Sequence, residues 1–234
     1  MRSRITYILV LLLCYSGLVV QAQDEVEVTL QADVVNQFIW RGYKNGHASI
    51  QPTLGISWKG LSLSAWGSVG ITDSSDVSEI DLEASYTIGG LTLKVTDYWT
   101  DSPNPKYFDY HSSTTSHVFE AGLCYDFGLL SLSWQTFFAG QDYFEQSNKR
   151  TYSSYVEMCV PFYLATCEWE GRMGVVPYAS DFYSADGFRV TNLSLMASKE
   201  LPITDKFSLP VFAQLVGNPN IKQLFFVFGL TIGF

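Results

Sequence analysis

The sequence predicts an all-β protein, a transmembrane antiparallel up-and-down β-barrel of 12 strands, with 10 and 14 as the alternative even counts. Apolar residues make up 47% of the chain, yet no segment after the N-terminal one has the roughly 20 consecutive apolar residues of a membrane helix. Aromatic residues are 15% and charged residues 16% of the chain, whereas soluble domains usually carry about 25% charged residues. Abundant but dispersed apolar residues are typical of strands with one lipid-facing side.

The N-terminal segment has the pattern of an export signal. We expect residues 1–22 to be a cleaved secretory signal peptide, which leaves residues 23–234 as a single barrel domain. Arg2 and Arg4 begin it, an apolar run follows, and residues 20–22 fit a cleavage site. The expected location is the outer membrane of a Gram-negative cell. A net charge of −9 without any basic cluster argues against nucleic-acid binding.

Three two-residue turns predict hairpins with a defined register. At Lys59-Gly60, Gly89-Gly90 and Gly128-Leu129, apolar side chains of one strand meet apolar ones of the next, and polar ones meet polar ones. A slip of one residue would invert every pair, so this sorting of both faces supports the hairpins. In the third hairpin the predicted pairs include Phe119 with Phe138.

Short turns alternate with longer connections along the chain, as in outer-membrane barrels. The longer connections are predicted at residues 42–47, 72–78, 101–115, 140–150, 177–187 and 217–221. The first strand, residues 25–40, should pair with the last, residues 224–234, and close the barrel. The alternation changes phase near residues 191–193, which predicts a β-bulge there.

Aromatic residues at lipid-facing positions predict two girdles at the membrane interfaces. Near the short turns these are Trp58, Tyr86, Tyr125, Phe127, Phe162 and Phe234. Near the long connections they are Phe38, Trp40, Trp99, Phe138 and Phe188. A soluble β-sandwich or ligand-binding barrel would not explain these girdles. Asp97 is the clearest polar exception on the apolar face.

Charged side chains that the alternation places inside the barrel are the predicted pore-lining residues. They are Asp33, Arg41, Glu79, Asp81, Glu83, Lys94, Glu120, Glu157, Glu170 and Arg172. The excess of acids favours a water-filled, cation-preferring channel for small solutes. Side chains alone do not set the bore, so an occluded barrel with a surface-binding or structural role remains the alternative. Arg41 is expected to form a constriction with Asp81 or Glu83, or to pin the first outer loop.

A family resemblance is found in the first third of the chain. The segments FIWRGY at residues 38–43 and ASIQP at residues 48–52 resemble the start of the TorF-family porins. Residues 63–68 and 79–82 are similar to that family's next two strands. The resemblance implies an outer-membrane porin without a particular solute. Separately, the C-terminal residues resemble the signal that the barrel-assembly machinery reads, which assigns this role to Gly229, Ile232 and Phe234.

No catalytic, metal or cofactor site is expected. The histidines His47, His111 and His117 are scattered, although an outer-membrane hydrolase with a Ser–His pair stays a third alternative. Cys159 and Cys167 should point to opposite faces and remain free thiols. The expected partners are the lipid bilayer with its lipopolysaccharide, the barrel-assembly machinery and small solutes, while the oligomeric state is open.

Aromatic side chains in the long connections suggest a further alternative, glycan binding, since such rings can stack on sugars. They are Tyr107, Phe108, Tyr110, Tyr143, Phe144, Tyr178, Phe182 and Tyr183. Packing of the loops, or of an interface belt, explains the same residues without a ligand.

Overall fold

The structure, a computed structural model, describes residues 26–204 and 207–233. The predicted signal peptide and Phe234, a residue of the predicted assembly signal, lie outside the described residues. No described helix is long and apolar enough to cross a membrane. The strands are β1 Glu27–Val35, β2 Phe38–Trp40, β3 Tyr43–Gly46, β4 Ser49–Trp58, β5 Leu61–Gly70, β6 Glu79–Ile88, β7 Leu91–Thr100, β8 His117–Asp126, β9 Ser131–Gly140, β10 Ser154–Leu164, β11 Cys167–Val176, β12 Arg189–Thr204, β13 Phe207–Asn218 and β14 Gln223–Gly233.

Twelve of these strands form a closed antiparallel barrel, which confirms the predicted fold class and strand number. The barrel closes where β14 pairs with β1, from Gln31 opposite Gly233 to Val35 opposite Gly229. β2 and β3 are not part of the wall and form a separate two-stranded ribbon. The predicted pairing of the first and last strands is therefore confirmed.

The outside of the barrel is an apolar belt. Outward side chains on different strands, such as Val28, Leu54, Leu82, Leu123 and Phe226, are between 42% and 66% exposed. In water so large an apolar surface would drive aggregation, whereas in a bilayer it faces lipid tails. Closure leaves no open strand edge, so the backbone groups are paired within the wall. The architecture is that of a transmembrane β-barrel.

The register of the first two predicted hairpins is confirmed, and that of the third is confirmed from Asp126 opposite Ser131 to Glu120 opposite Phe137. Trp58 lies opposite Leu61 and Ile88 opposite Leu91, as predicted. The predicted pairing of Phe119 with Phe138 is wrong, because a bulge after Phe119 places this residue opposite Ala139.

Two further features follow from the register of β10, β11 and β12. Thr191 is the extra residue between Val190 and Asn192, which pair with consecutive residues of β11, so the predicted bulge is confirmed.

The turn between β10 and β11 lies at residues 165–166. Cys159 is therefore opposite Arg172 and Cys167 opposite Leu164, and both thiols are free, as expected.

The first predicted strand was too long. β1 ends at Val35, because the side-chain amides of Asn36 and Gln37 donate to the carbonyl of Phe226, at 3.1 and 2.7 Å. The chain then turns into the barrel as the β2–β3 ribbon. Phe38 is only 7% exposed and packs against Trp66, so it does not belong to the outer girdle.

The girdle near the long connections is consequently smaller than predicted. Trp40 follows Phe38 into the interior, and Trp99 is 7% exposed because Tyr107 of the following loop packs against it. Phe138 and Phe188 remain exposed, at 44% and 59%. In the girdle near the short turns, Trp58, Tyr86, Tyr125, Phe127 and Phe162 are between 38% and 58% exposed, in agreement with the prediction.

Candidate functional site in the barrel interior

In the half of the interior nearest the short turns, strands β4 to β7 and β9 present small polar side chains beside larger ones such as Lys94. The half-buried inward residues there include Ser57, Ser62, Ser64, Ser85, Thr87, Thr92, Ser131 and Ser133. Hydroxyl side chains of this size cannot fill the centre of a 12-strand barrel, which is wider than the packed barrels of eight strands. We call this half, lined by these residues, the vestibule.

Two clusters of ion pairs lie on the inner wall. Lys94 contacts Glu83 at 3.0 Å, and both side chains remain about one-third exposed. Arg172 bridges Glu157 and Glu170 at 2.9 and 2.5 Å. Opposite charges that lie this close, on neighbouring strands or two residues apart on β11 as Arg172 and Glu170 are, hold each other in place and keep the wall polar.

Three predicted lining residues have no basic partner among the described residues. Asp33 accepts a hydrogen bond from the Thr231 hydroxyl at 2.6 Å, across the seam. Glu79 is 9% exposed. Asp81, two residues further along the same inward face, is hydrogen-bonded to Glu79, while its other buried oxygen has no hydrogen-bond partner. Two carboxyl groups that hydrogen-bond to each other share a proton, so this pair carries at most one negative charge.

Arg41 lies at the centre of the opposite half. Arg41 and Gly42 form the two-residue turn of the β2–β3 ribbon, with φ of 50° and 87°, values that the tight hairpin turn requires. The guanidinium donates to both carboxylate oxygens of Glu120, at 2.7 and 2.8 Å, and to the hydroxyl of Tyr183 at 2.6 Å. A bidentate pair of this kind is strong and directional.

Aromatic rings enclose this ion pair. The guanidinium carbon of Arg41 lies 4.3 Å from the centre of the Trp40 ring and 4.6 Å from that of Tyr155. Glu120, Tyr183 and Phe137 are each 1% exposed and Tyr155 is 2% exposed. We call Trp40, Arg41, Glu120, Phe137, Tyr155 and Tyr183 the plug. Its members come from the ribbon, from strands β8, β9 and β10, and from the loop at residues 177–188.

Hydrogen bonds hold the two inserted segments together at the plug. The side-chain amide of Asn218 donates to the carbonyl of Gly42 at 3.1 Å, and Asn220 donates to the carbonyls of Tyr183 and Ser184 at 3.2 and 3.0 Å. Burial raises the pKa of Tyr183, so its hydroxyl stays protonated at neutral pH. The plug is thus fixed from the loops as well as from the wall.

Only part of this site could be identified from the sequence. Arg41 and Glu120 both lie inside the barrel, but the partner of Arg41 is Glu120 and not Asp81 or Glu83. Tyr183, placed among the outer-loop aromatics, and Trp40, placed in the lipid-facing girdle, are both inside. Insertion of a loop leaves no periodic pattern, so only the aromatic composition of these loops could have suggested it.

Asp97 and His117 explain the polar exception on the apolar face. The Nδ1 atom of His117 lies 2.7 Å from the carboxylate of Asp97, and its Nε2 atom lies 2.6 Å from the carbonyl oxygen of Tyr107. The ring is 0% exposed and stacks on Tyr110. His117 therefore fastens the loop at residues 101–116 to the wall. Both ring nitrogens are occupied, so neither is free to take a proton from a serine.

His111, which lies within that loop, lacks the arrangement of a catalytic base. Nδ1 of His111 lies 2.9 Å from the hydroxyl of Ser113, two residues along the same exposed turn. Asp109 accepts a hydrogen bond from the backbone amide of His111, and its second oxygen from Asn104 and Thr114. This carboxylate is engaged in the turn of the loop and does not orient the ring as a catalytic base would require.

Replacing His117 with alanine should release this loop. The change removes both hydrogen bonds and leaves the Asp97 carboxylate without its partner, a loss of about 1.5–3 kcal/mol for a hydrogen bond to a charged group. Limited proteolysis of the refolded barrel should then cut within residues 101–116 much faster than in the unchanged protein. His111→Ala, in the exposed turn, is the control and should leave the rate unchanged. Equal cleavage in both variants would show that His117 does not hold the loop.

The similarities of this chain to known proteins are confined to solved structures. No family model and no curated protein matches the chain. The chain is similar to two solved variants of the porin of Rhodopseudomonas blastica. For a variant with several substitutions, the identity is 13% and the TM-score 0.39, and the match covers 80% of this chain but only 55% of that one, about half of its length. For a triple mutant, the identity is 10% and the TM-score 0.40, and the match covers 90% of this chain and 100% of that one.

Proposed function

We propose that the protein is an outer-membrane channel for small solutes, which the plug closes at the long-loop end in the conformation described here. The observation that carries the proposal is the contrast between the two halves of the interior. A barrel with only a structural role would fill its interior along the whole length, as small barrels do. Here the vestibule is lined by small, half-buried hydroxyl residues, while the plug residues Glu120, Phe137 and Tyr183 are 1% exposed.

We further propose that the open channel prefers cations. The inward bases Arg41, Lys94 and Arg172 are each ion-paired with an acid, so none adds free positive charge to the lumen. Asp33 on β1 has no basic partner among the described residues, and the Thr231 hydroxyl that donates to it carries no charge. Its negative potential would favour cations over anions in the lumen.

The finer assignments belong to the same proposal. The aromatic-Arg-Gly segment, which forms the turn that carries Arg41, resembles the TorF-family porins, and on this resemblance we propose membership of that family. Ile232 faces outward on β14, with 40% exposure, and Gly229 packs beneath the ring of Phe212. With Phe234 they would form the assembly signal for the barrel-assembly machinery. Lipopolysaccharide would surround the outer half of the belt.

Recording in planar bilayers tests the proposal. The refolded protein should show brief, infrequent openings, and the reversal potential under a salt gradient should correspond to cation preference. Asp33→Asn removes a carboxylate that has no basic partner among the described residues and should shift the reversal potential towards zero. Glu145→Gln, in an exposed outer loop, is the matched control and should not shift it. A reversal potential that indicates anion preference would contradict the assignment of this acid.

The low exposure of the plug also favours a second candidate, an occluded barrel that acts as a surface binding or structural protein. In that case both the unchanged protein and variants of the plug would remain silent in the bilayer. Openings in plug variants alone would support the closed channel.

A further inference from the structure

Three metal-ligating side chains meet at the long-loop end, outside the barrel interior. His47 follows β3, and Asp73 and Asp76 lie in the connection between β5 and β6. The Nδ1 atom of His47 is 2.8 Å from an oxygen of Asp76 and 3.6 Å from an oxygen of Asp73. One ligand atom of each residue lies within 4.8 Å of the other two. The scattered histidines gave no hint of this arrangement, because its other members are aspartates from a different loop.

The two aspartates are oriented by their surroundings. The backbone amide of His47 donates to Asp76 at 2.9 Å, and the side chain of Asp76 is only 8% exposed. Gly70 leaves room for it, since a Cβ atom there would lie 2.8 Å from the Cβ of Asp76. Ser75 donates through its amide and its hydroxyl to one oxygen of Asp73, at 2.9 and 2.6 Å, and the other oxygen is the one near His47.

We propose that His47, Asp73 and Asp76 bind a divalent transition-metal ion of the zinc type. An imidazole nitrogen with two carboxylates suits Zn²⁺ better than Ca²⁺ or Mg²⁺, which prefer oxygen ligands only. Around a tetrahedral Zn²⁺ two ligand atoms lie about 3.4 Å apart. The distance from His47 to Asp73 already fits, and that to Asp76 has to widen by about 0.6 Å. The neutral imidazole binds through Nδ1 with its proton on Nε2, and water completes the coordination.

The site has a consequence for the plug. His47 comes directly after the β2–β3 ribbon, which has Arg41 at its turn, whereas the aspartates belong to the connection that leaves the wall at Gly70. A bound ion would therefore tie the ribbon to the rim of the barrel and stabilise the closed plug. This consequence rests on the proposed channel function, whereas metal binding itself does not.

Calorimetric titration of the refolded full-length protein in detergent with Zn²⁺ tests the site. We expect one ion per chain, with Ca²⁺ unable to compete. His47→Ala and Asp76→Asn should each weaken binding by more than about tenfold, since even the outer-shell partners of metal ligands contribute about 10–100-fold. His111→Ala removes an exposed histidine from another loop and should bind as the unchanged protein does. Absence of binding, or equal binding by His47→Ala, would overturn the proposal.

Hydrogen exchange with and without Zn²⁺ tests the link to the plug. Residues 36–48 should exchange more slowly in the presence of Zn²⁺ in the unchanged protein but not in His47→Ala. Binding without this protection would overturn the link between the ion and the ribbon. Neither result depends on conduction, so failure of the metal site is distinguishable from failure of the channel function.

Discussion

Replacing Arg41 with alanine should raise the conductance severalfold and also destabilise the folded barrel. The change removes the side chain at the centre of the plug and leaves Glu120, 1% exposed, without its counterion. Breaking a buried pair in this way costs about 3–5 kcal/mol, unless water enters to solvate the remaining charge. If the barrel is a channel, water from the polar vestibule reaches Glu120 and solvates its charge. Single-channel recording and thermal unfolding of the refolded protein measure the two effects.

A second variant separates conduction from stability. Arg41→Ala combined with Glu120→Gln removes the unpaired charge, so the barrel should regain stability while the conductance stays high. Arg150→Ala is the matched control, since Arg150 lies in an outer loop and contacts Tyr143 and the carbonyl of Gly140. Its conductance should equal that of the unchanged protein. If Arg41→Ala is stably folded and conducts no more than Arg150→Ala, Arg41 does not close the barrel.

Replacing Gly42 with alanine should displace the ribbon without changing any charge. A Cβ atom at Gly42 would lie 1.9 Å from the carbonyl oxygen of Thr191, the bulged residue of β12. Backbone atoms on both sides cannot yield at that distance, so the ribbon has to move away from the wall. Arg41 would then leave Glu120, and the openings seen in bilayer recordings should become more frequent and longer.

Gly128→Ala is the control for the backbone strain of this change. Gly128 has φ of 86°, nearly the same as the 87° of Gly42, but a Cβ atom there would have nothing within 4 Å. Both variants carry the cost of a left-handed residue, about 1–2 kcal/mol. Only Gly42→Ala carries the clash. Similar open times in the two variants would mean that the ribbon does not seal the channel.

The wall of the barrel could be predicted from the sequence because its rules are local. Side chains alternate with a period of two, and short turns such as Lys59-Gly60 set the register between neighbours. The bulge at Thr191 was visible as a change of phase for the same reason. The same alternation failed after Val35, where Asn36 and Gln37 hydrogen-bond to β14 in place of continuing the strand.

The plug could not be predicted, because its contacts join residues that are far apart in sequence. Alternation indicated that Glu120 faces inward, but not which side chain meets it across the lumen. Arg41 and Glu120 are separated by 79 positions, and Arg41 and Tyr183 by 142. Such pairs depend on closure of the barrel and on two segments that fold into it. The cluster of His47 with two aspartates escaped prediction for a related reason, since separate loops bring it together.

The central claim is that the vestibule is open at the short-turn end and sealed by the plug at the other. Cys124 is a natural reporter, since it lies half-buried on the inward face of β8, four residues from Glu120 towards the short turn. Cys159→Ser and Cys167→Ser would leave it as the single thiol among the described residues. In oriented proteoliposomes, a membrane-impermeant maleimide should label Cys124 from the short-turn side only, and from both sides after Arg41→Ala. Labelling of Cys124 from both sides, or from neither side, in the protein that keeps Arg41 would contradict the account.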